Sequence, residues 1–221
     1  MRYKCLILDH DDTAVNSTAE IHYPAHQEVM QVLRPHLTPI SLDGWFLKNF
    51  NPGIMEYLTQ ELGFDEEEIQ IEYRIWRRHT TQRIPHFFPG FIEALTRYRE
   101  LGGIIAVVSH SERDIIERHY RSGSGGLALL PDVIYGWNYD EEQRKPSPYP
   151  VNCILADFGV GEENALIVDD LKPGVLMARA TGVAVAAAGW GHSIPEIREY
   201  MQKCCVEYLE TVEQFREYIL S

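Results

Sequence analysis

The hydrophobic pattern of this chain changes period several times, and each change predicts a different element. An apolar run, Cys5-Leu6-Ile7-Leu8, bounded by polar residues, predicts a short buried strand. Acids follow it at once, in Asp9-His10-Asp11-Asp12-Thr13. From Thr18 the pattern becomes helical: Ala19-Glu20-Ile21-His22 continues into Val29-Met30 and Val32-Leu33, breaks at Pro35 and Pro39, and resumes at Trp45-Phe46-Leu47. Asn51-Pro52 reads as an N-cap followed by proline at the first position of a helix that runs through Leu58 and is stopped by Gly63. Asp65-Glu66-Glu67-Glu68 puts acids on the first turn of another helix, and Arg74, Arg77 and Arg78 fall on its later turns, the charge order that the helix dipole favours.

After Pro89 helices and strands alternate. The pattern predicts a helix over Phe91–Tyr98, closed by Leu101-Gly102-Gly103, then a strand over Ile104–Val108 and a helix from Glu112 to Tyr120. A strand at Asp132–Tyr135, a helix at Tyr149–Phe158, a strand at Ala165–Val168 and a helix around Gly174–Ala180 follow. A strand at Val183–Ala187 and a last helix pair interrupted by a short strand at Cys205–Tyr208 complete the series. Such alternation predicts an α/β fold with a mostly parallel, doubly wound sheet covered by helices on both faces. Residues 17–85 are then expected to form an inserted all-helical domain, and residues 1–16 with 86–221 the α/β core domain. Ser122-Gly123-Ser124-Gly125-Gly126 follows a helix, not a strand, and reads as a flexible turn in preference to a phosphate cradle.

Composition narrows the partners. The 221 residues suffice for one good core and a smaller appendage, and 45% hydrophobic residues are ordinary for a globular enzyme. The 20 Lys plus Arg against 33 Asp plus Glu leave a formal charge of -13, which argues against nucleic acid or an anionic membrane as a standing partner. A small phosphorylated metabolite needs only local positive charge. No apolar run reaches the length of a membrane span, and Met1-Arg2-Tyr3-Lys4 leads straight into a strand, so the cytoplasm is the expected location. The four cysteines show neither C-x-x-C spacing nor a disulfide framework.

The candidate chemistry lies at strand ends, where open α/β sheets place their binding crevice. Asp9 and Asp11, two apart in a chain leaving a strand, would point to one side and His10 to the other. Paired carboxylates repel unless a proton or cation is shared, and a hard divalent ion such as Mg²⁺ prefers oxygen ligands. Asp169-Asp170 directly follows a second apolar run, which would put both acidic pairs on one rim. Either pair alone reads equally well as a polar turn or cap; their joint placement points to shared metal binding. Lys145, before the rigid Pro146-Ser147-Pro148 turn, would be the local counterweight to a phosphate. Ser109, with His110 beside it at the end of a strand, would bind phosphate oxygens together with backbone N–H groups opening the next helix.

Taken together, Asp9-His10-Asp11-Asp12-Thr13, Ser109, Lys145-Pro146-Ser147-Pro148 and Asp169-Asp170-x-x-x-Gly174 resemble the haloacid-dehalogenase superfamily. The helical insert after the first motif resembles the cap of the branch holding phosphoglycolate phosphatase, beta-phosphoglucomutase and phosphonoacetaldehyde hydrolase. That resemblance implies a Rossmann-like core with a helical cap, and roles for single residues. Asp9 would be the nucleophile that becomes phosphorylated. Asp11 would protonate the leaving oxygen and then help activate water. Thr13 and Ser109 would hold phosphate oxygens, Lys145 would neutralise the nucleophile and phosphate, and Asp170 would ligate Mg²⁺ with Asp9 and the backbone carbonyl of Asp11. Asp169 would contribute directly or from behind the ligands.

The presence of Asp11 favours phosphate chemistry over dehalogenation, which has no leaving oxygen to protonate. Lys48, the lysine of the insert, has no surroundings that mark it as a Schiff-base residue, which disfavours the phosphonoacetaldehyde activity. The chain departs from the family at Asp12, where glycine is usual, and at His10. At Asp12 an extra carboxylate close to a bound dianion would disfavour that dianion unless the side chain turns outward, and His10 is expected to point into the interior or under the cap. His22, Lys48, Arg74 and Arg77 are candidate substrate contacts, although arginines at this spacing equally form an ordinary solvated face. The expectation is a cytoplasmic Mg²⁺-dependent phosphatase, monomeric or homodimeric, acting on a small organic phosphate. A phosphomutase or a binding protein without turnover are the alternatives.

Overall fold

In the computed structural model, residues 1–123 and 129–221 are described. Ser124, Gly125 and Gly126 of the Gly/Ser stretch lie outside the described residues, while Ser122 and Gly123 are the end of a helix. The chain divides into two compact units, Ser17–Pro85 and Met1–Asn16 with His86–Ser221. Among the described residues no helix is long and apolar enough to cross a membrane.

Strand β1 (Cys5–Leu8) opens the chain and is buried throughout. In the unit that follows, a π-helical turn at Thr18–His22 leads into α1 (Tyr23–Leu33), followed by α2 (Leu42–Phe50), α3 (Ile54–Glu56) and α4 (Glu66–Gln82). Their apolar faces meet in a small core of Val29, Met30, Trp45, Tyr57, Leu58, Phe64 and Ile75. Helix α4 starts with a reciprocal capping box between Asp65 and Glu68, which satisfies donors at its open end. Asn51 does not open a helix: its backbone N–H donates to the Leu47 carbonyl, so it closes α2, and α3 begins only at Ile54. The Asn-Pro pair carries the same composition as a helix start, and only the hydrogen bond distinguishes the two.

The other unit holds α5 (Phe91–Glu100), β2 (Ile104–Val108), α6 (Arg113–Gly123), β3 (Val133–Tyr135), α7 (Tyr149–Phe158), β4 (Ala165–Asp169), α8 (Lys172–Thr181), β5 (Ala184–Ala188), α9 (Pro195–Cys204), β6 (Glu207–Leu209) and α10 (Val212–Leu220). Its six strands are all parallel, in the order β3-β2-β1-β4-β5-β6. The central strands are buried throughout, and apolar up to Asp169 at the end of β4, because both faces of the sheet are covered. Helices α5 and α10 pack together, as do α7 with α8 and α8 with α9. The largest core cluster includes Leu6, Leu8, Leu95, Tyr98, Ile105, Val107, Tyr120 and Phe215. Strand order reverses between β1 and β4, whose neighbours in sequence lie on opposite sides. Their carboxyl ends therefore flank the crevice where such sheets bind ligands.

Candidate active site

Four loops deliver the site. Asp9 leaves β1 with its backbone N–H still bonded to the Val168 carbonyl at 2.9 Å, which holds it beside the end of β4. Asp169 is the last residue of β4, and its Oδ1 accepts from the Leu171 N–H at 3.0 Å. Helix α8 comes so close behind it that a Cβ on Gly174 would lie 2.3 Å from Asp169 Oδ2. This is the physical reason for glycine at that spacing. Asp9, Asp169 and Asp170 are all buried, and each has a carboxylate oxygen within 4.8 Å of the others'.

Lys145 reaches this cluster from the loop before α7. Its Nζ donates to Asp9 Oδ1 at 2.8 Å and lies 2.5 Å from Asp169 Oδ2, with the side chain only 4% exposed. Burial works to lower the pKa of the ammonium, but the charges of Asp169 and Asp9 and the bonds to both reverse that and hold it above its ordinary value. One ammonium does not balance three buried acids. Burial pushes the Asp169 carboxyl up to about 7 against the pull of Lys145, with Asp9 adding to the rise. Asp170 is raised well above its ordinary value by burial and then by Asp9, Asp169 and Asp12. His192 lies 3.6 Å from Asp170, but burial lowers its own pKa, so it does not supply the missing charge.

The shortfall tests whether a cation fits. Thr13 Oγ1 donates to Asp170 Oδ1 at a long 3.4 Å, and Asp170 Oδ2 is buried without a hydrogen-bond partner among the described residues. A buried carboxylate oxygen with no donor is costly unless a proton or a positive ion completes it. The donors are oxygens alone, the set that a hard divalent cation takes.

Asp11 is held beside these acids by hydroxyls. Ser111 Oγ donates to Asp11 Oδ2 at 2.7 Å, and Ser109 Oγ lies 3.3 Å from the same oxygen. His110 donates from Nε2 to the Lys145 carbonyl at 2.7 Å, tying the loop after β2 to the loop that carries the ammonium. The Thr13 carbonyl accepts from the Trp190 indole at 2.9 Å. Ser111 is thus a part of the site that the sequence left without a role. A serine three residues after a strand carries no motif of its own; only the fold shows which carboxylate it meets.

The two departures from the family pattern have separate explanations. Asp12 is buried and stands in the left-handed region at φ +57°. Aspartate is one of the few side chains that tolerate this conformation, for which glycine is otherwise the default. His10 points into the interior, where Nε2 lies 2.9 Å from His119 Nδ1 and the two rings stack with centroids 5.2 Å apart. Alternation along β1 accounts for it.

The remaining candidates belong to the helical unit. His22 Nδ1 accepts from the Trp76 indole at 3.0 Å, and Lys48 pairs with Glu61 at 2.6 Å. Arg74 is exposed and Arg77 half-buried on α4, while the neighbouring Arg78 pairs with Glu28.

Known proteins match this chain over most of its length. The sequence model for haloacid dehalogenase-like hydrolases matches residues 6–188. A phosphoglycolate phosphatase of Vibrio cholerae is 24% identical over 86% of this chain and 86% of its own. A hydrolase of the haloacid dehalogenase-like family from Streptococcus pneumoniae superposes with a TM-score of 0.77 at 18% identity, covering 98% of each chain. With all four strand-end loops inside or beside the matched span, the chain belongs to the haloacid dehalogenase-like hydrolase family.

Proposed function

We propose that this protein is a cytoplasmic, Mg²⁺-dependent phosphatase that hydrolyses a small organic phosphate monoester through an aspartyl-phosphate on Asp9. The observation that carries the reading is Lys145 bridging Asp9 and Asp169 inside an acid cluster that it does not balance. The names of relatives such as the Vibrio cholerae phosphoglycolate phosphatase support the same class.

Asp9 attacks phosphorus through a carboxylate oxygen, and Lys145 lowers the repulsion between that oxygen and the incoming dianion. Ser109 and Thr13, with backbone N–H groups before α6, hold the phosphate oxygens. Asp11 gives its proton to the leaving oxygen and then takes one from the water that cleaves the acyl phosphate. Asp9, Asp170 and the Asp11 carbonyl, with Asp169 beside them, would hold a Mg²⁺ ion, which would supply positive charge to the transferring group. Covalent capture divides one difficult displacement into two easier ones. In this reading residues 17–85 serve as the cap, with His22, Arg74 and Arg77 as candidate substrate contacts. Lys48 is already engaged by Glu61 and is the weakest of the set.

A panel of phosphate esters that includes phosphoglycolate, scored by inorganic phosphate release with Mg²⁺, tests the proposal. Steady release is expected from the wild type, falling to the uncatalysed rate in Asp9→Asn and after chelation of the metal. Release that survives either change rejects the mechanism. Transfer of phosphate back to a sugar without net release would favour a mutase.

A further inference from the structure

Two hydroxyls converge on one oxygen of Asp11, and they are not equivalent. Ser111 Oγ donates to Oδ2 at 2.7 Å, whereas Ser109 Oγ is 3.3 Å from it and accepts from the Ser111 backbone N–H at 3.1 Å. A serine hydroxyl has one proton to give. When Ser109 donates to a phosphate oxygen, it releases Asp11, and Ser111 retains its hold.

We propose that Ser111 is a positioning residue that aims the Asp11 carboxyl at the leaving oxygen, an inference that rests on the phosphatase reading above. Three further features fit this role. Ser111 is 3% exposed, so bulk water does not compete for its hydroxyl. Its backbone is pinned, because the Trp137 N–H donates to the Ser111 carbonyl at 2.9 Å. The turn also packs on Gly136, where a Cβ would lie 2.7 Å from the Ser111 carbonyl oxygen and 2.6 Å from the Arg113 nitrogen. The loop after β3 thus fixes a hydroxyl that fixes the acid. A bond from a rigid donor to Oδ2 restricts the carboxyl and leaves Oδ1 to carry the proton.

Proton delivery to the leaving oxygen matters most when the departing alcohol is a poor leaving group. Losing the aim of Asp11 must therefore cost more on an alkyl phosphate than on 4-nitrophenyl phosphate, a pattern that general loss of folding does not produce. With Mg²⁺ present, Ser111→Ala is expected to lower kcat on an alkyl phosphate by about tenfold or more, and on 4-nitrophenyl phosphate by less than about threefold, with KM within about twofold on both. Ser111→Thr keeps the hydroxyl and should recover most of the alkyl rate. Gly136→Ala, which displaces the turn without touching Ser111 or Asp11 chemically, should reproduce the selective loss and answers the question if Ser111→Ala does not fold. Equal fractional losses on both esters, or a change confined to KM, overturn the assignment of Ser111 while leaving the phosphatase reading intact. A wild type that hydrolyses neither ester overturns both.

Discussion

The two units treat charge in opposite ways. In the helical unit three cations meet acids in pairs, Arg34 with Glu68, Lys48 with Glu61 and Arg78 with Glu28, and Glu72, which burial pushes up to about 7, is the exception. Its most buried histidine, His26, stays neutral among aromatic rings. In the α/β unit three buried acids share a single ammonium. Balanced pairs and neutral groups ask for nothing further and serve the fold. An unbalanced buried set is incomplete until protons or a cation arrive, and so marks where a ligand acts.

The largest effect is expected from removing the one fixed cation of that set. Lys145→Met leaves Asp9, Asp169 and Asp170 buried without an opposing charge. Breaking a buried pair on one side costs about 3–5 kcal/mol, so urea denaturation in chelator at neutral pH should shift by that order, and phosphate release should vanish. Asp169 and Asp170 already have raised pKa values, so the folded state holds protons that the unfolded chain gives up. Their contribution is favourable at low pH and is lost as pH rises through the raised values. The deficit of the variant should accordingly shrink on acidification, and Mg²⁺ should recover part of it. A variant as stable as the wild type at neutral pH would show that the acids do not depend on Lys145.

The contrast between the units was only partly legible in the sequence. Strands announced themselves because both faces of the sheet are covered, which made β1, β2 and β4 continuous apolar runs. The acids at the ends of β1 and β4 could be placed on one rim because parallel strands share an orientation. The side-chain bonds that complete the geometry had no such signal. Ser111 meets Asp11 across a hundred residues, and Trp190 reaches Thr13 from the far side of the sheet order, contacts that no local pattern encodes. At Asp12 the sequence shows an added charge but not the backbone: the turn there is left-handed, which aspartate tolerates, and the residue is buried. At Asn51 local composition fits both ends of a helix, and the Leu47 carbonyl decides between them.

A middle-sized effect should come from His26 in the helical core. Neither ring nitrogen has a hydrogen-bond partner among the described residues, the ring stacks on Trp45 at 4.3 Å, and burial lowers its pKa to about 4. Because the unfolded chain takes up this proton near the ordinary histidine value, the contribution is intact above that value and is lost as pH falls toward about 4. Between neutral and about pH 5 the wild type should lose roughly 2 kcal/mol more stability than His26→Phe, measured by urea denaturation at both pH values. Parallel losses in the two proteins would mean that the ring finds a partner when protonated, and that the helical unit is less dry than its neutral histidine suggests.

The smallest effect separates the two uses of charge most sharply. Lys48 bonds both oxygens of Glu61, at 2.7 and 2.6 Å, and its ammonium lies 5.4 Å from the centre of the Tyr57 ring. A half-exposed pair of this kind contributes less than about 1 kcal/mol and weakens with salt. Lys48→Met keeps the apolar stem against the ring while removing the charge, so its stability should change by less than about 1 kcal/mol and its relative rates across the ester panel should not change. A rise in KM of about tenfold for one ester, with stability unaltered, would mean that Lys48 leaves Glu61 to bind substrate. The helical unit would then hold a cation in reserve, and the balance of its ion pairs would describe a resting state instead of a purely structural one.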